Sequence, residues 1–397
     1  MNVLKKALYI AIGILVCVAI FFVIAEAYSR VAHKGSYLTG FMGSDPTFHH
    51  IPPPYYSGTM HSEGDFDLPF TTNNRGMRGP GDYTYEKSAG TYRIAVMGDS
   101  FAFGVGVKAD ETASAVLADL LARSGDGRYE VYNFGMNSYS PLLEYIYLSR
   151  EVVKYRPDMV ILMLDLCDVQ DDYLYEPHIV RDAEGAIVGC DPFRSGGGPD
   201  LYALLKKHSR FIARLDTKLI DSFRKIRTIG FTRYMRNKFQ GKRNKVEIVT
   251  NPDIDTIYFD RFLFSREGKD AAVVRRHWER TASYLGMIKR YLDERGIRFI
   301  LVVYPYGHHV GAEQWPVGRR YWGFEAGRVY DPAAALALVT SYAERNDIDL
   351  VSLVDVMRDH ADEKLYYDRD GHLTPAGQRL VGKAMYDRVE VADAEHI

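Results

Sequence analysis

The sequence predicts an α/β protein built on a doubly wound parallel sheet, and three observations carry that expectation. Residues 158–164, apolar from Met159 on, and 297–304, apolar but for Arg298, have the pattern of strands covered on both faces. Stretches with apolar residues at helical spacing, at 142–153, 273–292 and 331–345, stand between such runs at lengths suited to crossover helices. A third apolar run, from Tyr92 to Met97, breaks at Gly98-Asp99-Ser100, and a helical pattern takes over from about Asp110 to Ala122.

Taken in order, the chain opens with no charged residue between Ala7 and Ala25, a run long enough to span a bilayer as one helix. Ala25-Glu26-Ala27 has the form of a signal-peptide cleavage site, but the run exceeds a usual signal core and Glu26 is awkward beside a cut. A retained anchor over residues 1–30 is therefore expected. Lys5, Lys6 and the terminal amine only slightly outweigh Arg30 and Lys34, which favours an internal amino terminus. The remaining chain is then expected on the periplasmic side of a bacterial inner membrane, tethered by a single pass.

Residues 31–90, rich in Pro, Gly, His and Tyr, read as a linker and entry segment, with Pro52-Pro53-Pro54 as a stiff connector. His49, His50 and His61 lack carboxylate partners at metal-ligand spacing and read as surface histidines. The main domain is expected over 91–390, with strands near 92–97, 129–134, 158–164, 297–304 and 348–353 and a last helix from Pro375 to about Arg388. A helical insertion interrupts it at 172–270, opening with a small hairpin at 178–188. Between Leu204 and Lys245 there are 14 Lys or Arg against two acids. Such a stretch could face anionic lipid or an anionic polymer, although a solvated helix face balanced elsewhere accounts for it better.

Composition bounds the function. Lys and Arg number 50 against 52 Asp and Glu, a formal charge of -2, so no global case for nucleic-acid binding exists. Of three cysteines, Cys17 lies in the expected anchor, while Cys167 and Cys190 could be a disulfide or two free thiols. None has metal-ligand spacing.

The chemistry-bearing motif is Gly98-Asp99-Ser100. A serine at the carboxyl end of a parallel strand sits where α/β sheets place ligands, and the tight turn gathers backbone N–H groups beside its hydroxyl. Gly98-x-Ser100 breaks the dinucleotide fingerprint, and no Lys-Ser or Lys-Thr follows Gly104 as a phosphate loop requires. A serine nucleophile needs a base. Asp370-Gly371-His372 supplies one just ahead of Thr374-Pro375, a helix-start signal. Asp370 can hold the His372 ring so that Nε2 faces a serine; Asp368 is the reserve acid. His308 and His309, after the strand at 297–304, lie at the same sheet edge and could contact substrate, although loop histidines with no role are commoner.

Here the chain resembles the SGNH (GDSL-type) hydrolase superfamily, and in particular its membrane-tethered bacterial members. Gly98-Asp99-Ser100 is similar to its first block and Asp370-Gly371-His372 to its last. Residues 133–140 and 164–168 stand where the second and third belong. The resemblance covers roughly residues 73–390 and implies a flavodoxin-like α/β fold. It also implies a serine esterase or O-acyltransferase, acting on acylated carbohydrate or a small ester with no metal or organic cofactor. It assigns Ser100, His372 and Asp370 to catalysis, and the oxyanion to Ser100, Ser138 and position 167. Asn137, Asp168 and His309 are candidates for substrate contact. Two departures matter: Ser138 stands for a glycine, and Cys167 for an asparagine whose amide a thiol replaces poorly. They motivate two rivals, a domain that binds glycan or a partner protein without turnover, and a lipid-surface scaffold.

Overall fold

In the computed structural model, the described residues are 3–31, 42–79, 81–124, 128–192, 211, 262, 264, 265 and 272–394. The chain divides into two compact units, 1–35 with 193–242, and 36–192 with 243–397. Most of the expected insertion, including the basic stretch at 204–245, lies outside the described residues.

The described part of the first unit includes the helix Val3–Val31. Its apolar side chains, among them Tyr9, Ile10, Leu15, Val23 and Ile24, are exposed. Glu26 accepts a hydrogen bond from the Phe211 N–H at 3.0 Å, and Phe211 packs edge-on against Phe21 and Phe22. Among the described residues no helix is long and apolar enough to cross a membrane. The expected anchor therefore finds no support there; the side chains at 6–8 and 11 of this helix are themselves outside the description.

The second unit begins with two hairpins, β1 (Gly43–Asp45) with β2 (His49–Ile51) and β3 (Ser57–Ser62) with β4 (Phe66–Thr71). The segment expected to be a linker is thus built structure. Met60, Phe66 and Phe70 form a small core with Phe103 and Val105, which ties the second hairpin to the turn after Ser100.

The sheet follows: β5 (Tyr92–Gly98), β6 (Tyr129–Gly135) and β7 (Met159–Leu164), then a hairpin of β8 (Ile179–Arg181) with β9 (Ile187–Cys190), then β10 (Arg298–Val303) and β11 (Asp349–Ser352). Its order is β11-β10-β7-β5-β6, every neighbour parallel. Numbered within the sheet this is 2-1-3-4-5, the flavodoxin-like winding that reverses between β5 and β7. The reasons are local. β7 buries all six residues and β10 five of six, so these strands demand cover on both faces. Helices Ala113–Arg123 and Pro375–Ala394 pack together, and helix Ala272–Asp293 packs with Pro141–Arg150 and Asp168–Tyr175.

Candidate active site

The winding reverses beside β5, and Ser100 is the second residue after that strand. Gly98 has φ 143°, and a Cβ there would come within 2.9 Å of the Met163 carbonyl, so the turn out of β5 needs glycine. Asp99 then caps the short helix Ser100–Phe103: its Oδ1 accepts from the Phe101 N–H at 2.9 Å and from the Tyr304 hydroxyl at 3.1 Å. Ser100 is left 5% exposed at the rim.

His372 arrives from a loop 272 residues further on, with Nε2 2.7 Å from Ser100 Oγ. Its Nδ1 bonds Asp370 Oδ1. An ionised carboxylate only accepts, so Nδ1 carries the proton and Nε2 is free to take one from the serine. The Phe101 ring lies 4.7 Å from the imidazole and limits its tilt.

The loop is fixed from several sides. Asp65 Oδ2, in the β3–β4 turn, accepts the N–H groups of Arg369 at 3.0 Å and Asp370 at 2.7 Å. The Trp315 Nε1–H donates to the Arg369 carbonyl at 3.2 Å, and Tyr367 donates to the Gly106 carbonyl at 2.6 Å. As expected, Thr374 caps the last helix, its Oγ1 accepting from the Gly377 N–H at 3.4 Å. Asp368, the reserve acid, is engaged instead with exposed Lys364 at 3.0 Å.

The other sequence candidates fall into place unequally. Register pairs Gly98 with Gly135, and the Met136 N–H donates to the Gly98 carbonyl at 2.9 Å, so residues 136–138 run beside the nucleophile turn. Ser138 holds φ 59°, the conformation its glycine counterpart would take freely. Asn137 is 3% exposed, and neither of its amide atoms has a hydrogen-bond partner. Cys167 and Cys190 are both buried thiols, with no disulfide between them. The Cys167 N–H donates to Asp165 Oδ1 at 2.7 Å. Asp168 is buried and accepts from the Asp165 N–H at 3.0 Å.

His309 departs from expectation. It is fully buried, its Nε2 bonding the Ser265 carbonyl at 2.8 Å while its Nδ1 accepts from the Tyr306 N–H at 3.2 Å. Burial lowers its pKa to about 4, and no surface is left for substrate. His49 and His50, expected at the surface, are partly buried and bonded. His50 Nε2–H donates to the Asn137 carbonyl at 2.7 Å, so its Nδ1 accepts from His49 Nδ1–H at 2.8 Å. Burial lowers both pKa values, that of His49 to about 3 with help from repulsion by His50 and His178. The pair braces the loop beside Ser100. Asp65 and the His49–His50 brace escaped the sequence reading, because each acts through backbone groups far away in the chain.

Residues 259–395 match the family described as SGNH hydrolase-like domain, acetyltransferase AlgX. That match supports the SGNH superfamily. It contains Asp370 and His372, while Ser100 lies outside it. No curated protein matches the chain. Among solved structures the chain is similar to the acetyl xylan esterase AlAXEase, at 13% identity over 75% of this chain and 99% of that one, with TM-score 0.38. Axe2, an acetylxylan esterase from Geobacillus stearothermophilus, is 11% identical over 77% and 95%, at TM-score 0.36. A putative acylhydrolase from Bacteroides fragilis is 12% identical over 77% and 90%, at TM-score 0.37. Likeness at that level decides nothing about activity.

Proposed function

We propose that the chain is a serine-dependent acyl-ester hydrolase or O-acyltransferase acting on acyl groups of cell-surface glycans. The observation that carries this reading is the hydrogen-bond chain from Ser100 Oγ through His372 to Asp370. An acetyltransferase in the description of the matching family points the same way. Ser100 Oγ attacks the ester carbonyl carbon as His372 Nε2 takes its proton. His372 then returns that proton to the leaving alkoxide, giving acyl-Ser100 and free alcohol. Water or a sugar hydroxyl, deprotonated by His372, attacks the acyl-enzyme and restores the serine. The oxyanion is met by the N–H groups of Ser100 and Ser138 and by the orphaned Asn137 amide, which takes the part the Cys167 thiol cannot. Asp168, already bonded within the protein, supports rather than contacts substrate.

The deciding experiment is hydrolysis of a nitrophenyl acetate and of acetylated oligosaccharides, with and without acceptor sugar. Ser100→Ala is expected to lower kcat/KM by ~10³-fold or more; activity that survives it removes the mechanism. A thiol at position 167 favours the second reading, glycan or partner binding without turnover. Failure of Ser100 to react with a fluorophosphonate, together with retained glycan binding, would establish it. Localisation belongs to the same proposal: helix Val3–Val31 is not among helices long and apolar enough to cross a membrane, but its exposed apolar side chains are the one feature that favours a single-pass tether in a bacterial inner membrane, with the second unit in the periplasm.

A further inference from the structure

Two carbonyls in the loop beside the nucleophile are gripped by side chains to which the ester chemistry has given no part. The His50 Nε2–H donates to the Asn137 carbonyl at 2.7 Å, and the Tyr175 hydroxyl donates to the Ser138 carbonyl at 2.8 Å. His50 comes from β2, and Tyr175 from the helix Asp168–Tyr175 that follows β7. Tyr139, next along the loop, returns the contact. Its hydroxyl donates to the His50 carbonyl at 2.9 Å, and its ring meets the His50 ring edge-on at 5.2 Å between centres. From behind, the His49 Nδ1–H holds the His50 ring at 2.8 Å, and the Tyr175 ring lies 4.7 Å from that of His49.

The bond to Asn137 matters because of the peptide it grips. The Asn137 C=O and the Ser138 N–H belong to one planar trans unit and point in opposite directions. Holding the carbonyl therefore fixes the aim of the N–H, the group given above to the oxyanion. The loop has an alternative. Turning that peptide over would carry Ser138 from φ 59° to the negative φ that a side chain prefers, as a type II turn converts to type I. The N–H would then face away from the ester. A glycine here would have no steric reason to turn, but a serine has one. A side chain stays in the left-handed region only where its surroundings over-determine it, and both carbonyls that flank this position are held.

We propose that His50, supported by Tyr175, is a positioning residue that aims the Ser138 N–H at the oxyanion by preventing this flip. The role presupposes the serine-ester reading given above. It gives the serine that stands in the glycine's place a backbone donor of fixed direction, and neither His50 nor Tyr175 needs to touch substrate to do so.

The test compares His50→Phe, which keeps a ring but no donor, with His50→Gln, whose amide nitrogen can stand where Nε2 stood. Both are measured in the full chain for hydrolysis of nitrophenyl acetate and for inhibition by a trifluoromethyl ketone. That ketone bonds Ser100 Oγ at its carbonyl carbon while the serine proton passes to His372, and its own oxygen becomes the oxyanion. His50→Phe is expected to lower kcat about 10–100-fold with KM little changed, and to weaken the ketone by a similar factor. His50→Gln should regain most of both. Adding Ser138→Gly to His50→Phe should regain about fivefold, since glycine carries no left-handed penalty. Tyr175→Phe should lower kcat and ketone affinity together by a smaller factor, and it carries the test if His50→Phe fails to fold. Wild-type kcat and ketone affinity in the variant tested would overturn the positioning role and leave the esterase reading intact. A loss in His50→Phe that neither His50→Gln nor Ser138→Gly recovers would overturn it too, making the contact structural. A wild-type chain inert to both ester and ketone would remove the serine mechanism, and the positioning role with it.

Discussion

Asp65 holds the loop that carries Asp370 and His372 from outside the sheet, through two backbone N–H groups that converge on one carboxylate oxygen. Asp65→Ala should therefore lower kcat roughly 10–100-fold by letting Asp370 and His372 drift, with KM little changed. A fall in Tm with kcat intact would mean that the contact is only structural. Asn137→Ala makes a sharper pair of expectations. On the proposed mechanism the change removes an oxyanion donor and should cost about 10²–10³ in kcat, whereas deleting a buried amide with no partner should leave the melting temperature unchanged or higher. His309 belongs to stability. Its pKa is lowered in the fold, so its contribution is present above about pH 6.5 and is lost as pH falls toward about 4. His309→Asn should flatten that slope in urea unfolding measured from pH 7 to pH 4, at a cost of about 1–3 kcal/mol at neutral pH. Ser100, Asp370 and His372 were legible because each sits in a short motif with its own turn or cap signal. Asp65 was not, since its partners lie about 300 residues away and nothing near it announces them.

The elements differ in how plainly the sequence declares them. β7 is an unbroken apolar run and β10 is apolar after Arg298, and the structure keeps them within a residue or two of the expected ends. The hairpins β1–β2 and β3–β4 passed for linker because they are short, polar and crowded by Pro, Gly and His. Their stability comes from contacts outside themselves, such as Phe70 against Phe103 at 6.2 Å between ring centres. A further element-scale constraint is the crossing of β6 over the serine helix. A Cβ on Gly135 would lie 2.2 Å from the Phe103 nitrogen and 2.5 Å from the Ala102 carbonyl carbon. Both neighbours are backbone and cannot step aside cheaply. Gly135→Ala should then displace the helix Ser100–Phe103, cutting fluorophosphonate labelling of Ser100 at least tenfold while circular dichroism still reports α/β structure. Labelling at the wild-type rate would mean that the strand yields instead.

At the scale of the whole molecule, the winding order is what makes one site out of distant segments. Placing β5 beside both β6 and β7 sets the second and third motifs around Ser100, and the outer strands return the chain so that His372 meets it across 272 residues. That much follows from alternating strands and helices. The amino-terminal unit follows different physics. Leu15 is 73% exposed and Val23 68%, so the helix Val3–Val31 shows solvent the side chains a soluble surface would hide. If lipid is their counterpart, the full chain should sediment with membranes and resist extraction at alkaline pH. A charge at the centre of a spanning helix costs about 2.5–3.5 kcal/mol. Ile14→Lys with Leu15→Arg should therefore shift the chain into the soluble fraction, with the rate of acetyl-ester hydrolysis per molecule unchanged. A wild-type chain that is already soluble, or a double variant still held in the membrane, would show that this helix is not the tether.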